Sequence, residues 1–214
     1  VSLAHNGVLF FDEIAEFPKD VLDVLRQPLE DQEIYITRVA WTVKYPANAL
    51  FVATMNPCKC WYYNDPEREC TCWINDIYRY QKSLSWPLLD RIDMILEVPR
   101  VNTNKLLSDN PDDNSNRDIP IANSIKRQKK RYTNANKSRN GDIKGHQIKS
   151  HCNLTDKAIQ LLENACEKFE LSPRVIHKMM KVWRTIADIE DSDNVTTTHI
   201  AEALQYRSKN MLII

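Results

Sequence analysis

The chain has 214 residues, of which 43% are hydrophobic, and this length can bury one core or a core with a smaller second domain. Its 29 basic and 29 acidic residues give a formal net charge of zero, which excludes a uniformly basic nucleic-acid-binding protein and leaves only local patches for such contacts. The sequence shows no membrane-spanning apolar run and no secretion signal, so we expect a cytoplasmic protein without membrane contact.

The first predicted strand ends in two acids. Residues 8–11 (VLFF) form a short apolar run, typical of a strand buried on both faces of a parallel sheet, and Asp12 and Glu13 follow directly. In open α/β sheets ligands bind outside the carboxyl ends of the strands, so these acids could hold Mg²⁺ and activate a water molecule. The residues alone leave a second interpretation open, an ordinary acidic turn after a strand.

A helix and a hairpin are predicted next. Apolar residues recur at helical spacing between positions 21 and 29, and Pro18 is compatible with the start of that helix. Two short alternating segments with a four-residue connection predict a β-hairpin, with Arg38 and Lys44 near its tip or on its polar face. The alternating apolar residues are Ile34, Ile36, Val43 and Tyr45.

A second buried strand follows the hairpin. The apolar run at 49–54 predicts this strand, and Met55-Asn56-Pro57 ends it because proline cannot continue a central ladder. A cysteine-bearing loop comes next, then a helix around 74–84 and a third apolar run at 94–98. Strands that alternate with helices favour an α/β sheet.

A polar segment separates the two halves of the chain. Residues 102–120 are rich in Asn, Asp, Ser and Pro and predict a linker or long loop. Between Lys126 and Lys149 there are nine Lys or Arg residues and a single acid, Asp142. This basic stretch could add electrostatic affinity for DNA, or it could be a solvated connector balanced by the linker's aspartates, Asp109, Asp112 and Asp113.

Three amphipathic helices are predicted at the end of the chain, where they would form a small helical domain. Thr155 can cap the first, Ser172-Pro173 precedes the second, and the third runs from about Thr198 to Arg207. The residues expected to be buried in the first two are Ile159, Leu162, Ala165, Cys166, Phe169, Val175, Ile176, Met179, Val182, Trp183 and Ile186.

Motifs along nearly the whole chain, apart from the linker, resemble in order those of the magnesium-chelatase-like ComM/YifB family of AAA+ ATPases. The matching segments are 6–13 (NGVLFFDE) and 26–31 (RQPLED) for the Walker B strand and following helix, 55–58 (MNPC) for sensor 1, 88–93 (LLDRID) for the arginine-finger motif and 171–174 (LSPR) for sensor 2. The cysteine loop, 186–190 (IADIE) and 201–207 (AEALQYR) look like ComM/YifB rather than true magnesium-chelatase subunits.

The resemblance implies an α/β fold with a partial AAA+ P-loop-type core and parallel sheet, followed by a small all-α lid domain. It divides the chain into the C-terminal part of the ATPase core at 1–101, a linker and basic connector at 102–150 and a helical lid at 151–214. It also implies a ring, either a homo-hexamer or an assembly with an upstream P-loop-bearing polypeptide. That ring would use ATP and Mg²⁺ to remodel DNA as a branch-migration helicase in competence and recombination.

The resemblance also implies roles for individual residues. Asp12 would bind Mg²⁺, Glu13 would orient and deprotonate the attacking water, and Asn56 would polarise that water, so that all three lie against the cofactor. Arg91 would reach the γ-phosphate bound by a neighbouring subunit, and Arg174 would contact the nucleotide and sense its state. Taken singly, Asn56 could instead cap a loop and each arginine could form a surface ion pair.

The predicted hairpin would supply DNA contacts. Arg38 and Lys44 resemble residues of the family's pore-facing insertion, where a ring could grip phosphates without reading sequence. DNA is therefore an expected partner of the chain.

Four cysteines, Cys58, Cys60, Cys70 and Cys72, form a C-x-C-x₉-C-x-C pattern. Four thiolates can close a tetrahedral zinc site, but the one-residue spacing is tighter than usual, so zinc and reduced thiols both stay open. Cys152 and Cys166 fit helical core positions, and the five histidines show no metal-like spacing.

Two features depart from the family pattern. No G-x-x-x-x-G-K-[ST] loop occurs in this sequence, so the chain alone is not expected to hydrolyse ATP. Glycine is scarce, with 3 residues in 214. Tryptophans occupy positions where the family pattern has glycine, and a tryptophan at positive φ costs about 1–3 kcal/mol. These residues are Trp41, Trp61 and Trp86, together with Gln32 and Asn64 at turns where glycine would be natural.

Three functions follow from these observations. The first is part of a DNA-remodelling ATPase completed by an upstream P-loop-bearing segment. The second is a metal-chelatase motor that acts on a tetrapyrrole, against which the cysteine loop argues. The third is a non-catalytic remnant or ring-interaction module, which the missing P-loop and the lost glycines favour.

Overall fold

The computed structural model describes residues 1–39, 41–98, 118–132, 139–143, 145–169 and 171–207. They fall into two compact units: unit 1 comprises Val1–Ile92, and unit 2 begins at Asp93. Among these residues no helix combines the length and the apolar character that a membrane span requires.

Unit 1 contains a parallel strand pair, an antiparallel hairpin and four short helices. Strands β1 (Val8–Phe11) and β4 (Leu50–Ala53) pair in parallel with Val8 opposite Leu50 and Phe11 opposite Ala53. Strands β2 (Glu33–Arg38) and β3 (Trp41–Pro46) form the predicted hairpin, in which Arg38 lies opposite Trp41, so the connection is two residues rather than four. The elements are β1 (Val8–Phe11), α1 (Lys19–Val24), α2 (Arg26–Asp31), β2 (Glu33–Arg38), β3 (Trp41–Pro46), β4 (Leu50–Ala53), α3 (Ile74–Gln81) and α4 (Trp86–Leu89).

The helix predicted after Pro18 is divided into α1 and α2 at Leu25. Pro28 has no N–H to donate to the carbonyl four residues earlier, and its ring crowds that carbonyl, so one continuous helix cannot form there. Leu22 and Leu25 are nonetheless buried, 1% and 3% exposed, as the helical spacing predicts. They belong to a core that also contains Ile14, Ile77 and Leu88.

The expectation that β1 and β4 are buried on both faces is wrong. Burial alternates along both strands, and one face of the pair remains exposed. Its side chains are Val8, Phe10, Leu50 and Val52, which are 58%, 56%, 64% and 38% exposed. The opposite face carries Phe11, which packs against Phe17 and Phe51 with ring centroids 4.9 and 5.7 Å away. An apolar run thus indicates a strand but does not show how many of its faces are covered.

Unit 2 consists mainly of helices, but it is not entirely helical. Thr155 caps one helix as predicted, and Ser172 caps the next; their hydroxyls accept from the backbone N–H groups of Ala158 and Val175 at 3.3 Å. A short parallel pair, β5 (Asn153–Leu154) and β6 (Asn194–Val195), lies among the helices and corrects the all-α expectation for this part of the chain. The elements are α5 (Asp118–Arg131), α6 (Gly145–Ile148), β5 (Asn153–Leu154), α7 (Asp156–Phe169), α8 (Pro173–Ile189), β6 (Asn194–Val195) and α9 (Thr197–Gln205).

The core of unit 2 forms around α8, whose Met179, Trp183 and Ala187 are at most 2% exposed. Residues that were expected to lie in the linker and connector take part in this core. Tyr132, Ile143 and Ile148 are buried in it, and α5 is a regular helix. The described part of the basic stretch is therefore folded, with Lys126, Lys129 and Lys130 exposed on α5. Residues 99–117, which include most of the linker predicted at 102–120 and its Asp109, Asp112 and Asp113, lie outside the described residues.

Other expectations for unit 2 need correction. Among the described residues the third apolar run makes a single β-bridge, between Ile95 and Arg207, and does not join the parallel sheet. Ile159 is 39% exposed rather than buried, because it lies on the outer side of α7. The mixed α/β class predicted from the sequence is confirmed.

Candidate functional site

The two predicted acids and the predicted asparagine meet at the carboxyl ends of β1 and β4. The hydroxyl of Thr54 donates to Asp12 Oδ1 at 2.6 Å, and Asn56 Nδ2 donates to Glu13 Oε1 at 3.1 Å. These residues meet because β1 and β4 are parallel and in register, so that both strands end at the same edge. We call Asp12, Glu13, Thr54 and Asn56 the acid cluster.

Backbone contacts hold the acid cluster in place. The Thr54 N–H donates to the Phe11 carbonyl, and the Thr54 carbonyl accepts from the Ile14 N–H, both at 2.9 Å. Glu13 has a left-handed backbone (φ 50°, ψ 54°), which is uncommon for a residue other than glycine. This conformation directs its N–H to Thr54 Oγ1 at 2.9 Å. Both carboxylates remain exposed, so a ligand can reach them.

Thr54 is a site residue that the sequence analysis missed. Its hydroxyl accepts from the Glu13 N–H and donates to Asp12, and thereby links the two acids. What could have indicated Thr54 in the sequence is its place as a polar residue at the end of a predicted apolar strand, two positions before Asn56.

The two predicted arginines lie in different units. Arg91, in unit 1, donates to the carbonyls of Arg26 at 2.8 Å and Pro87 at 2.5 Å, and its Nε lies 3.4 Å from a Glu30 carboxylate oxygen. Its side chain is only 16% exposed. Arg174, in unit 2, is exposed in the first turn of α8. Arg91 thus ties α2 to the end of α4 within unit 1.

The hairpin presents the two predicted DNA-binding cations. Arg38 lies at the end of β2, with its guanidinium carbon 5.7 Å from the centre of the Trp41 ring. The Lys44 ammonium pairs with Glu33 at 2.6 Å and lies 5.9 Å from the centre of the Tyr35 ring. The hydrogen bond to Glu33 raises the pKa of Lys44. Part of the Lys44 charge is therefore neutralised within the hairpin.

The four clustered cysteines come together although they are spread over fifteen positions. Their sulfur atoms all lie within 4.8 Å of one another. The Sγ–Sγ distances are 3.4 Å for Cys58–Cys60, 3.7 Å for Cys58–Cys70 and 3.4 Å for Cys60–Cys70. All four are free thiols, and Cys58 is fully buried.

The thiols in this group do not ionise alike. A hydrogen bond from the Tyr62 backbone lowers the pKa of Cys60 to about 5. Desolvation, aided by the neighbouring sulfurs, raises the pKa of Cys70 to about 12. Cys60 therefore ionises more readily than Cys70. The remaining cysteines differ: Cys152 is buried as expected, but Cys166 is only partly buried.

Part of the basic stretch is neutralised inside unit 2. Asp188 is fully buried and accepts from Arg131 at 2.7 Å, Asn140 at 3.0 Å and Arg184 at 3.2 Å. Burial alone would raise the pKa of Asp188, but the hydrogen bonds from Arg131 and Asn140 and the charge of Arg184 outweigh it and lower that pKa. We call these residues the Asp188 network. Arg127 also extends to Asp191, at 2.5 Å, and to Asp193.

His199 has a structural environment that its sequence spacing did not indicate. It is 2% exposed, its Nδ1 accepts from the Thr196 N–H at 3.0 Å, and its Nε2 lies 2.8 Å from Glu190. Because Nδ1 accepts, the proton resides on Nε2 and is donated to Glu190. Asp188 and Glu190 both lie in the 186–190 segment that resembled ComM/YifB, so that segment serves to hold unit 2 together.

Comparison with known proteins gives consistent matches along the chain. Residues 1–106 match the sequence model of the magnesium chelatase subunit ChlI family, and residues 117–207 match that of the ChlI C-terminal region. The chain is 37% identical over 213 residues to the competence protein ComM of Haemophilus influenzae. It is 35% identical to the YifB proteins of Salmonella typhimurium and Escherichia coli, which are described as uncharacterized. These alignments cover 100% of this chain but only 41–42% of each relative.

Proposed function

The chain belongs to the magnesium-chelatase-like ComM/YifB family, and from that membership we propose that it forms part of an AAA+ ATPase that remodels DNA. The observation that carries the proposal is the acid cluster, in which two carboxylates and an amide converge at the ends of adjacent parallel strands. Open α/β sheets bind their ligands at this kind of edge.

The acid cluster has groups suited to a magnesium nucleotide. Carboxylate oxygens are ligands that Mg²⁺ prefers, and Asp12 supplies one, oriented by the Thr54 hydroxyl. The metal would neutralise charge that develops on the transferred phosphoryl group. Asp12 would hold it, directly or through water, while Glu13 accepts a proton from the attacking water. Asn56 bonds to Glu13 and would keep that carboxylate and the water aligned.

The rest of the ATPase site would come from an upstream segment and from two arginines of this chain. The phosphate-binding loop would come from an upstream segment, because the sequence has no such motif. In a hexameric ring Arg91 would act on a neighbouring subunit's nucleotide, after release from its contacts with Arg26 and Pro87. Arg174 would sense the nucleotide from unit 2. The ring would work in the cytoplasm.

DNA is the proposed substrate for two reasons. One relative is named as a competence protein, and competence is the uptake of DNA. The exposed hairpin offers Arg38 and Lys44, which could contact phosphates without sequence preference. Branch migration of recombining strands is the DNA-remodelling activity that we propose.

The decisive experiment measures DNA-stimulated ATP hydrolysis by this chain co-expressed with the polypeptide encoded immediately upstream. Glu13→Gln should abolish turnover because it removes the base. Glu16→Gln, an exposed acid three residues later, is the matched control and should retain it. Arg38→Ala should reduce the stimulation by DNA, whereas Arg79→Ala, an exposed arginine of α3, should not. A stable complex without turnover would contradict the proposal.

A non-catalytic remnant is the second candidate, and Trp61 is the observation that favours it. This tryptophan has φ 76°, a conformation typical of glycine, as expected for a sequence that is losing functional constraint. A complex that binds neither nucleotide nor DNA would support this second candidate. The third candidate, a metal-chelatase motor, is disfavoured by the cysteine loop.

A further inference from the structure

The segment between β4 and α3 has no hydrophobic interior of its own. Residues 54–73 are turns and bends without helix or strand. Of the residues from 58 to 73 only Cys58 is buried, and the aromatic residues Trp61 and Trp73 are 61% and 80% exposed. Ordering a segment of this length costs about 1–2 kcal/mol per residue in backbone entropy. Side-chain packing within the segment cannot offset that cost.

The interior of this segment is occupied by the four sulfur atoms. The separations among the sulfurs of Cys58, Cys60 and Cys70, 3.4–3.7 Å, are far too long for disulfide bonds. In a tetrahedral site with Zn–S bonds of about 2.3 Å, the sulfurs lie about 3.8 Å apart. The observed spacing, with every sulfur within 4.8 Å of the others, therefore fits one ion at the centre. A two-iron cluster would separate the sulfurs on different irons more widely.

The cysteine cluster is also connected to the acid cluster. Cys58 follows Asn56 by two residues, and Pro57, which stiffens the backbone, lies between them. The Pro57 carbonyl accepts from Gln81 Nε2 at 3.0 Å, and Gln81 is 4% exposed. Asn56 is thus held on its C-terminal side by the cysteine cluster and by α3. Movement of Cys58 would shift the amide that bonds to Glu13.

We propose that Cys58, Cys60, Cys70 and Cys72 bind one Zn²⁺ as a structural tetrathiolate site, and that this site positions Asn56 against Glu13. Binding forms four Zn–S bonds, and the thiols that were protonated release their protons to solvent. The zinc site stands on the sulfur geometry alone. Its effect on Asn56 rests on the proposed ATPase function.

Metal content is the first test. The protein is purified together with its upstream partner polypeptide, under reducing conditions and without chelator, and its metals are quantified by mass spectrometry. We expect one zinc per chain. Cys60→Ser and Cys70→Ser should lose it, and Cys166→Ser, the matched control in unit 2, should keep it. Zinc below one tenth of the chain concentration, or iron with visible absorption, would overturn the proposal.

A second measurement does not depend on the folding of the variants. Wild-type protein stripped of metal and titrated with Co²⁺ should develop thiolate-to-cobalt charge-transfer absorption that saturates at one ion per chain, and Zn²⁺ should displace it. Four thiols of the metal-loaded protein should also react slowly with a thiol reagent. Rapid reaction of all of them, without cobalt absorption, would contradict a metal site.

The coupling to Asn56 is tested by kinetics. Removal of zinc should lower kcat for ATP on the order of 100-fold, because a displacement of about 1 Å at a reacting group has an effect of that size. KM should change little, and added Zn²⁺ should restore kcat. A zinc-loaded protein whose kcat is unchanged by zinc removal would disprove the coupling and leave the metal site intact. If no ATPase is detected at all, the metal measurements still decide the zinc site.

Discussion

Trp61 has the backbone conformation of a glycine. Its φ is 76°, and Gln32 and Asn64 have φ 58° and 63°, whereas Trp41 and Trp86 are not among the positive-φ residues. Three of the five positions suspected from the sequence therefore place a side chain where glycine is natural. The chain bears a local conformational cost at these positions, which can be measured.

We predict that Trp61→Gly raises the free energy of unfolding by about 1 kcal/mol or more, because it relieves a left-handed backbone. Trp86→Gly is the matched control: Trp86 is 58% exposed against 61% for Trp61, but it begins α4. Glycine in a helix costs about 0.5–1 kcal/mol, so this control should shift stability in the opposite direction. Urea unfolding measures both variants, and an equal decrease in both would contradict the argument.

Thr54 supplies a second prediction for a single residue. Thr54→Val keeps the shape of the side chain but removes the hydroxyl that links Asp12 and Glu13. We expect kcat for ATP in the completed ATPase to fall about 10–100-fold, as for other partners that orient active groups, while KM changes little. Thr54→Ser should restore activity, and Thr42→Val on the hairpin should have no effect. Normal kcat in Thr54→Val would disprove this positioning role.

Helices α5 and α8 are joined by charge rather than by apolar packing alone. Arg131, on α5, and Asp188, on α8, are 57 positions apart, yet they form a bidentate ion pair in a largely buried environment. A buried pair of this kind adds little net stability when it is intact, but the loss of one partner leaves an uncompensated charge. In the Asp188 network, Asp188 is the residue to which the other side chains bond.

Asp188→Asn should therefore lower the free energy of unfolding of unit 2 by about 3–5 kcal/mol at neutral pH. The pKa of Asp188 is lower in the folded state than its ordinary value of 3.8, so its stabilising contribution is present above pH 3.8. That contribution is lost as the pH falls through the lowered pKa, and the wild type and the variant should converge there. Denaturation curves measured across this pH range test the prediction.

Asp191→Asn is the control for this experiment. Asp191 pairs with Arg127 but is 79% exposed, so its loss should cost less than about 1 kcal/mol. A similar cost for both variants would show that burial is not the reason for the effect of Asp188.

The molecule as a whole combines an exposed apolar sheet face with a formal net charge of zero. The sequence pI is about 7.1, so near neutral pH little electrostatic repulsion opposes association through the exposed face of β1 and β4. Contiguous apolar patches on a protein surface tend to mediate association between molecules. The 214-residue chain should accordingly be least soluble near pH 7.

Phe10→Ser should raise solubility at pH 7, because Phe10 is 56% exposed on that face. Phe11→Ser, one residue along the strand, should instead lower stability, because Phe11 packs against Phe17 and Phe51. Light scattering and thermal unfolding distinguish the two effects. If Phe10→Ser left the solubility minimum unchanged, the open face would not be its cause.

The sequence by itself determined the strands before Asp12 and Asn56, the hairpin, the cap at Thr155 and the family. Such features depend on neighbouring residues, so periodicity and motifs reveal them. Only the tertiary structure decided that Thr54 links the acids, that four sulfurs converge, that Arg131 reaches Asp188 and that one sheet face is open. Each of these depends on how distant segments pack together, and the short range of a sequence pattern does not specify that packing.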